Sequence, residues 1–271
     1  MNKNCSVIVN TCDKYEDAWF PFFELVKKYW KGCQYIFYLN TESKQYTHDG
    51  LNVTVINENR ASCYKASWGV RLKNCLKQIE SKYVILLLED FFLQDNVDQA
   101  ELDSCIQMME NDENIKAIYF KQIDGYSTVY PKDQQYFIMS GKKRYILNLQ
   151  AGLWRTEDLY ALIDDNDTPW SFEEEGASRV SEKDVFLCST RGTHTDMSNC
   201  AFPYLTDRRT GFGIWAGKWL WNNNKLFKKN GIEIGDIKLD RFTRIDMCKY
   251  YLQRLSQVIT TVSYTHLRAH E

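Results

Sequence analysis

The chain has 271 residues, 44% of them hydrophobic and 26% charged, with a formal net charge of −2. That length can bury a full core, and the near-neutral charge balance excludes wholesale electrostatic capture of nucleic acid. The longest strongly apolar run, Tyr83 to Leu88, falls far short of the roughly 20 residues a membrane-spanning helix needs. Residues 1–5 lead straight into a predicted strand without the basic and apolar regions of a signal peptide, so a cytoplasmic protein is expected. Nine cysteines, with no CxxC pair among them, predict reduced and mostly buried thiols rather than disulfides or zinc.

In chain order, residues 5–11 form a β-branched run typical of a buried strand. Asp17 is placed to cap a helix in which Ala18, Phe22, Leu25 and Tyr29 recur at helical spacing, with Pro21 tolerated in its first turn. Residues 34–39 and 52–56 read as strands. Ser67 is the expected N-cap of a helix ending near Ser81, with Trp68, Leu72, Cys75, Leu76 and Ile79 on one face. Residues 83–88 are continuously apolar, as a central strand covered on both faces should be. A helix over 97–110 and a strand over 115–120 continue an alternation that predicts βαβ units and a mainly parallel α/β sheet flanked by helices. The rhythm then changes: a hairpin over 126–130 and 135–139, a strand over 144–149, a helix over 156–163, an acidic turn over 164–167 and the segment 169–175. Beyond Asn222 the chain reads as helical and charged, with 241–259 a basic amphipathic stretch.

Ligands of an open parallel sheet collect beyond the carboxyl ends of its strands, where Glu89 and Asp90 are expected. Hard divalent cations such as Mg²⁺ or Mn²⁺ take carboxylate oxygens, often one or two from protein and the rest from substrate phosphates. The pair therefore suits a metal–diphosphate site, against the alternative of solvated strand-end charges. Thr11, Asp13 and Tyr15 follow the first strand, where hydrogen bonds and stacking can hold a nucleotide's base and ribose; an Asp in that position also serves as a helix cap. Arg71 is placed to reach a phosphate or the base, or to stand as a surface cation on an amphipathic helix. His194 reads as a hydrogen-bonded loop residue in preference to a metal ligand.

The string Leu-Leu-Leu-Glu89-Asp90-Phe-Phe-Leu resembles the DxD region of GT-A-type glycosyltransferases, preceded by the family-like Ser67-Trp68-Gly69-Val70-Arg71-Leu72. Leu149-Gln150-Ala151-Gly152-Leu153-Trp154-Arg155, Trp170-Ser171-Phe172-Glu173 and Gly213-Ile214-Trp215-Ala216-Gly217-Lys218-Trp219 are similar to segments of bacterial transferases of surface-polysaccharide synthesis. Together these strings cover about residues 5–235 in matching order. The resemblance implies a Rossmann-like GT-A domain over 1–235, with a nucleotide-sugar half over 1–120 and an acceptor half over 121–235. A C-terminal helical element over 236–261 follows. The sequence departs from the full motif, having Phe91 beside Glu89-Asp90 where a second Asp would stand two positions from the first. Asp90 is accordingly the implied metal ligand, with Glu89 assisting or contacting ribose. The resemblance further implies Glu173 as the general base, with Glu174 and Glu175 as substitutes, although acidic residues also suit a first helical turn. Lys218 is implied at the departing β-phosphate, and Trp154 and Trp170 on the acceptor side, with Trp215 and Trp219 as further stacking or core residues.

The implied activity is metal-assisted transfer of a sugar from a nucleoside-diphosphate donor to a glycan or lipid-linked acceptor. Two other readings stand beside it: a degenerate relative that only binds nucleotide or glycan, and a nucleotidyltransferase. The latter normally has a glycine-rich basic loop after its first strand, whereas residues 10–15 contain no glycine. The stretch 241–259 can rest on the inner face of a membrane near a lipid-linked acceptor, or pack on the domain. The last ten residues, 262–271, resemble the translated read-through of a sequencing-library adapter and are left out of the fold reading.

Overall fold

The computed structural model describes residues 4–57, 66–141, 143–193, 195–206 and 213–250. In chain order the first half runs β1 (Cys5–Asn10), α1 (Trp19–Tyr29), β2 (Phe37–Asn40), β3 (Val53–Ile56), α2 (Trp68–Leu76), β4 (Tyr83–Leu88), α3 (Gln99–Asn111) and β5 (Ile115–Tyr119). The second half adds β6 (Thr128–Tyr130), β7 (Asp133–Met139), β8 (Gly152–Arg155), α4 (Thr156–Leu162), α5 (Pro169–Glu175), β9 (Val185–Ser189), β10 (Ile214–Trp215), β11 (Lys218–Trp219) and α6 (Asn222–Asn230). Nine strands form one sheet in the order β3-β2-β1-β4-β8-β5-β9-β7-β6. It is a mixed, mostly parallel sheet, since only β7 and β8 run against the rest.

Alternation along the strands builds the layers. Val7, Val9, Ile85 and Leu87 face one way, onto α1, α3 and α6, while Ile8, Val84 and Leu86 face the other, onto α2, α4 and α5. Because β1 and β4 are buried on both faces, their sequences are continuously apolar instead of alternating.

Several elements follow the expectation closely: β4 has the predicted bounds, Ser67 caps α2 by accepting the Val70 N–H at 3.2 Å, and β6 and β7 pair antiparallel. Others differ. Asp17 does not cap α1; a 3₁₀ turn over Asp13–Ala18 leads into that helix, and the Asp17 carboxylate accepts the backbone N–H groups of Lys238 and Leu239 at 2.7 and 2.8 Å. Helix α2 stops at Leu76, short of Ser81.

Residues 144–149 do not form a strand, because their amides are taken elsewhere. Tyr145 N–H donates to the Glu173 carbonyl, Asn148 N–H to the Tyr119 hydroxyl, and Leu149 N–H to the Glu173 carboxylate. Tyr145 also sits at φ 67°, outside any strand conformation. The strand in this region is β8, inserted antiparallel between β4 and β5. Gly152 opens it because a Cβ there would lie 2.9 Å from the Tyr119 ring.

Helix α6 ends at Gly231 in the left-handed conformation, and the chain becomes helical again only over 244–250. Of the expected element over 236–261, residues 251–261 lie outside the described residues, as do His194, Cys63 and the tail 262–271. The described cysteines are free thiols. Among the described residues no helix is long and apolar enough to cross a membrane.

Candidate functional site

Strand β4 lies between β1 and β8 and delivers Glu89 and Asp90 to the carboxyl edge of the sheet, where Leu88 is paired with Asn10. Both acids are buried, at 7% and 6% exposure, where carboxylates are rare unless a partner compensates them. Burial, reinforced by the neighbouring Asp90 charge, pushes the Glu89 carboxyl up, while hydrogen bonding from the Thr11 hydroxyl opposes this. Burial also pushes Asp90 up, opposed by the Ile214 N–H, which donates to Asp90 Oδ2 at 3.0 Å.

Thr11, at the end of β1, accepts from Trp19 Nε1 at 3.0 Å, and its carbonyl accepts from Arg71 Nη2 at 2.5 Å. The same guanidinium pairs with Glu42 at 3.0 Å, and its charge acts on Glu89. Tyr15 belongs to this cluster too: burial first, then the charges of Cys12, Glu89 and Asp90, push its phenol up. The fold thus brings together Thr11, Tyr15, Arg71, Glu89 and Asp90 from three separate stretches of sequence. Two adjacent buried carboxylates form an oxygen-only donor set whose mutual repulsion a divalent cation would relieve. Among the described residues no group of three or more His, Cys, Asp or Glu side chains could hold a metal. Two carboxylates are the number of protein ligands that Mg²⁺-type ions often take when substrate phosphates supply the rest.

Asp13 is occupied differently. Its carboxylate accepts from the backbone N–H groups of Glu42, Ser43 and Lys44 and from the Ser43 hydroxyl at 2.5 Å, bracing the loop after β2. Burial acts to raise its carboxyl, but these hydrogen bonds outweigh burial and hold it low. Between this turn and the β10–β11 hairpin opens a cleft of about 480 Å³ whose lining mixes Lys14, Lys44, Lys218 and Lys238 with Asp13, Glu16 and Asp240. Lys44 and Lys238 both pair with Glu16, and Lys218 pairs with Asp246 at 2.8 Å. The hairpin turns through Ala216 and Gly217, both left-handed, and a Cβ on Gly217 would lie 2.7 Å from Lys14 Nζ.

Helix α5 forms because Thr168 and Ser171 make a capping box and Pro169 occupies the first turn. Phe172 anchors it between Trp68 and Trp154. Glu173 Oε1 accepts the Leu149 N–H at 2.8 Å, which ties this carboxylate to the loop entering β8, and hence to the carboxyl edge of β4. Burial pushes its carboxyl up, the Leu149 amide opposes this, and Glu174 adds to it. Glu174 itself pairs with exposed Arg144 at 2.5 Å, and Glu175 is exposed. The acidic turn over 164–167 is structural: Asp167 accepts both Arg179 nitrogens, at 2.6 and 3.1 Å.

The two acceptor-side tryptophans separate. Trp154 is fully buried against Tyr119, Phe172 and Phe186, so it presents no face to a ligand, whereas Trp170 is 71% exposed at the start of α5. Trp219 is core, and Trp215 is half-buried against Tyr250. One contributor escaped sequence reasoning: the Ile214 amide, a backbone donor with no residue signature.

No family model matches the chain, and no curated protein does. Among solved structures, S. aureus TarS 1-349 is similar at 14% identity and a TM-score of 0.44, over 70% of this chain and 59% of that one. A cytidylyltransferase from Leptospira borgpetersenii is similar at 11% identity and 0.42, over 69% and 77%. The bifunctional IspDF from Campylobacter jejuni is similar at 12% and 0.40, over 75% and 52%. The chain thus spans about three fifths of the TarS structure it matches.

Proposed function

We propose that this protein is a transferase acting on a nucleotide-activated substrate, and in particular a glycosyltransferase that uses a nucleoside-diphosphate sugar. The observation that carries this reading is the buried Glu89–Asp90 pair at the carboxyl edge of the sheet, beside Thr11, Tyr15 and Arg71. In this reading Tyr15 and Arg71 hold the nucleotide, and Lys14 and Lys218 of the mixed-charge cleft meet its diphosphate. Asp90, helped by Glu89, would hold a Mg²⁺ or Mn²⁺ ion, whose chemistry is to neutralise charge on the departing diphosphate. Glu173, its carboxyl raised by burial, takes the proton from the acceptor hydroxyl as that oxygen bonds to the anomeric carbon. The bond from anomeric carbon to phosphate oxygen breaks, and the diphosphate leaves with the electron pair. Exposed Trp170, one helical turn before Glu173, is the acceptor-side platform, and the acceptor is a glycan or lipid-linked glycan of surface-polysaccharide synthesis.

Thermal unfolding with UDP, GDP, CDP or dTDP, each with Mn²⁺, Mg²⁺ or EDTA, tests the proposal. A ligand at 100 times its Kd stabilises by about 2.7 kcal/mol, which moves the midpoint of a domain this size by roughly 5–11 °C. A metal-dependent shift for one nucleotide, lost in Asp90→Ala, is the expected result. Absence of any shift removes the nucleotide reading, and pyrophosphate release from a nucleoside triphosphate would transfer the site to nucleotidyl transfer. A shift without sugar transfer over a broad donor and acceptor panel would leave a protein that only binds.

A further inference from the structure

Helix α6 and residues 244–250 expose a row of side chains that the proposed chemistry does not use. Trp221, at the N-cap of α6, and Lys225 and Lys228 on that helix recur at i, i+4 and i+7, and all three are exposed. On the last helix Arg244, Ile245, Cys248 and Lys249 are exposed, with Ile245 at 67% and Trp221 at 47%. The opposite side of that helix is fixed to the body, Asp246 by Lys218 at 2.8 Å and Tyr250 by the Trp215 ring at 5.3 Å. Phe242 joins the two exposed apolar groups: its buried ring packs 6.0 Å from Trp221, three residues before Ile245. Charge on this part of the chain is lopsided. Residues 221–250 carry seven Lys or Arg against four acids; Lys238 is paired with Glu16 and Asp246 with Lys218, which leaves six cations against three acids although the whole chain is net negative. In the sequence the spacing of Ile245 and Cys248 continues with Leu252, Leu255 and Ile259.

We infer that this face docks on an anionic membrane surface, with Trp221 and Ile245 entering the headgroup boundary and Lys225, Lys228, Arg244 and Lys249 meeting lipid phosphates. Exposed large apolar side chains with cations on the same helices are the pattern of an interfacial element, and an excess of cations favours a negatively charged partner. Tryptophan suits the boundary because its ring is apolar with one polar N–H. Lys218, which pairs with the inward side of this helix, also lines the cleft, so docking would bring the lipid surface beside it. The inference stands on exposure and charge alone and does not depend on which reaction the cleft performs.

The test is flotation of the full chain with phosphatidylcholine vesicles prepared with and without phosphatidylserine. Binding is expected only to the phosphatidylserine vesicles and should weaken as salt screens the attraction. Arg244→Glu with Lys249→Glu should lower the bound fraction by about tenfold or more. Ile245→Asp should do so with little change in the unfolding midpoint, because its side chain is 67% exposed, whereas Trp221→Ala should weaken binding and also lose some packing on Phe242. Equal binding to uncharged vesicles, no binding to anionic ones at low salt, or binding indifferent to these variants would each overturn the inference. A vesicle-independent dimer in light scattering, lost in Ile245→Asp, would overturn it too by showing that a second copy covers the face.

Discussion

Replacing Trp154 by alanine separates two roles the sequence left open, core residue and acceptor platform. The ring is fully buried against Tyr119, Phe172 and Phe186, linking the central sheet to α5. A tryptophan buries about 150–250 Å², which at about 25 cal/mol per Å² is worth roughly 4–6 kcal/mol. Measured large-to-small losses of about 3–5 kcal/mol agree with that figure. At 2–4 °C per kcal/mol, Trp154→Ala should lower the unfolding midpoint by about 6–20 °C. Trp154→Phe should lose much less, because it keeps most of the apolar contact and removes a buried indole N–H that has no hydrogen-bond partner. Trp170→Ala is the counterpart: with the ring 71% exposed, the midpoint should move little, and the effect should fall on KM for the acceptor. Calorimetry on the three variants, with steady-state kinetics once a donor is known, makes the comparison. A Trp154→Ala protein with an unchanged midpoint and a raised acceptor KM would refute the burial argument.

Glu173→Gln keeps an oxygen to accept the Leu149 N–H, so the loop entering β8 should stay in place while kcat falls and donor binding persists. The pH dependence of stability gives a second readout. Because burial raises the Glu173 carboxyl in the folded state, the folded protein binds the proton more tightly than the unfolded chain. Stability is therefore lost as pH rises from the unfolded value of about 4.3 through the raised folded value, and the Gln variant should show a flatter midpoint-against-pH curve over that window. Gly69→Ala should destabilise by up to about 2 kcal/mol: a Cβ there would lie 2.0 Å from the Asp164 carbonyl oxygen, and separating the two costs about 1–3 kcal/mol of strain, offset by at most about 1 kcal/mol of helix propensity regained. Its unfolding midpoint checks this, and a stabilised Gly69→Ala would contradict the close approach of α2 to the 164–167 turn.

The first half of the fold was readable because its elements announce themselves locally. A doubly buried strand such as Tyr83–Leu88 has to be continuously apolar, and Ser67 can cap only the helix that follows it. The placement of Glu89 and Asp90 at the edge of that strand follows from the same run of six residues. Local sequence could not say where amides with non-local partners would go. Residues 144–149 look like a strand, but Glu173 and Tyr119, distant in sequence, take their N–H groups and leave the ladder to Gly152–Arg155. Asp17 looks like a cap, yet its acceptors are claimed by Lys238 and Leu239 more than two hundred residues away. Tertiary structure likewise decided that Trp154 is core and Trp170 surface, since both are tryptophans beside plausible motifs and only packing distinguishes them. Composition and periodicity therefore determined the sheet and its acidic edge, whereas the partners of each polar group, set by contacts between distant segments, decided what stands around that edge.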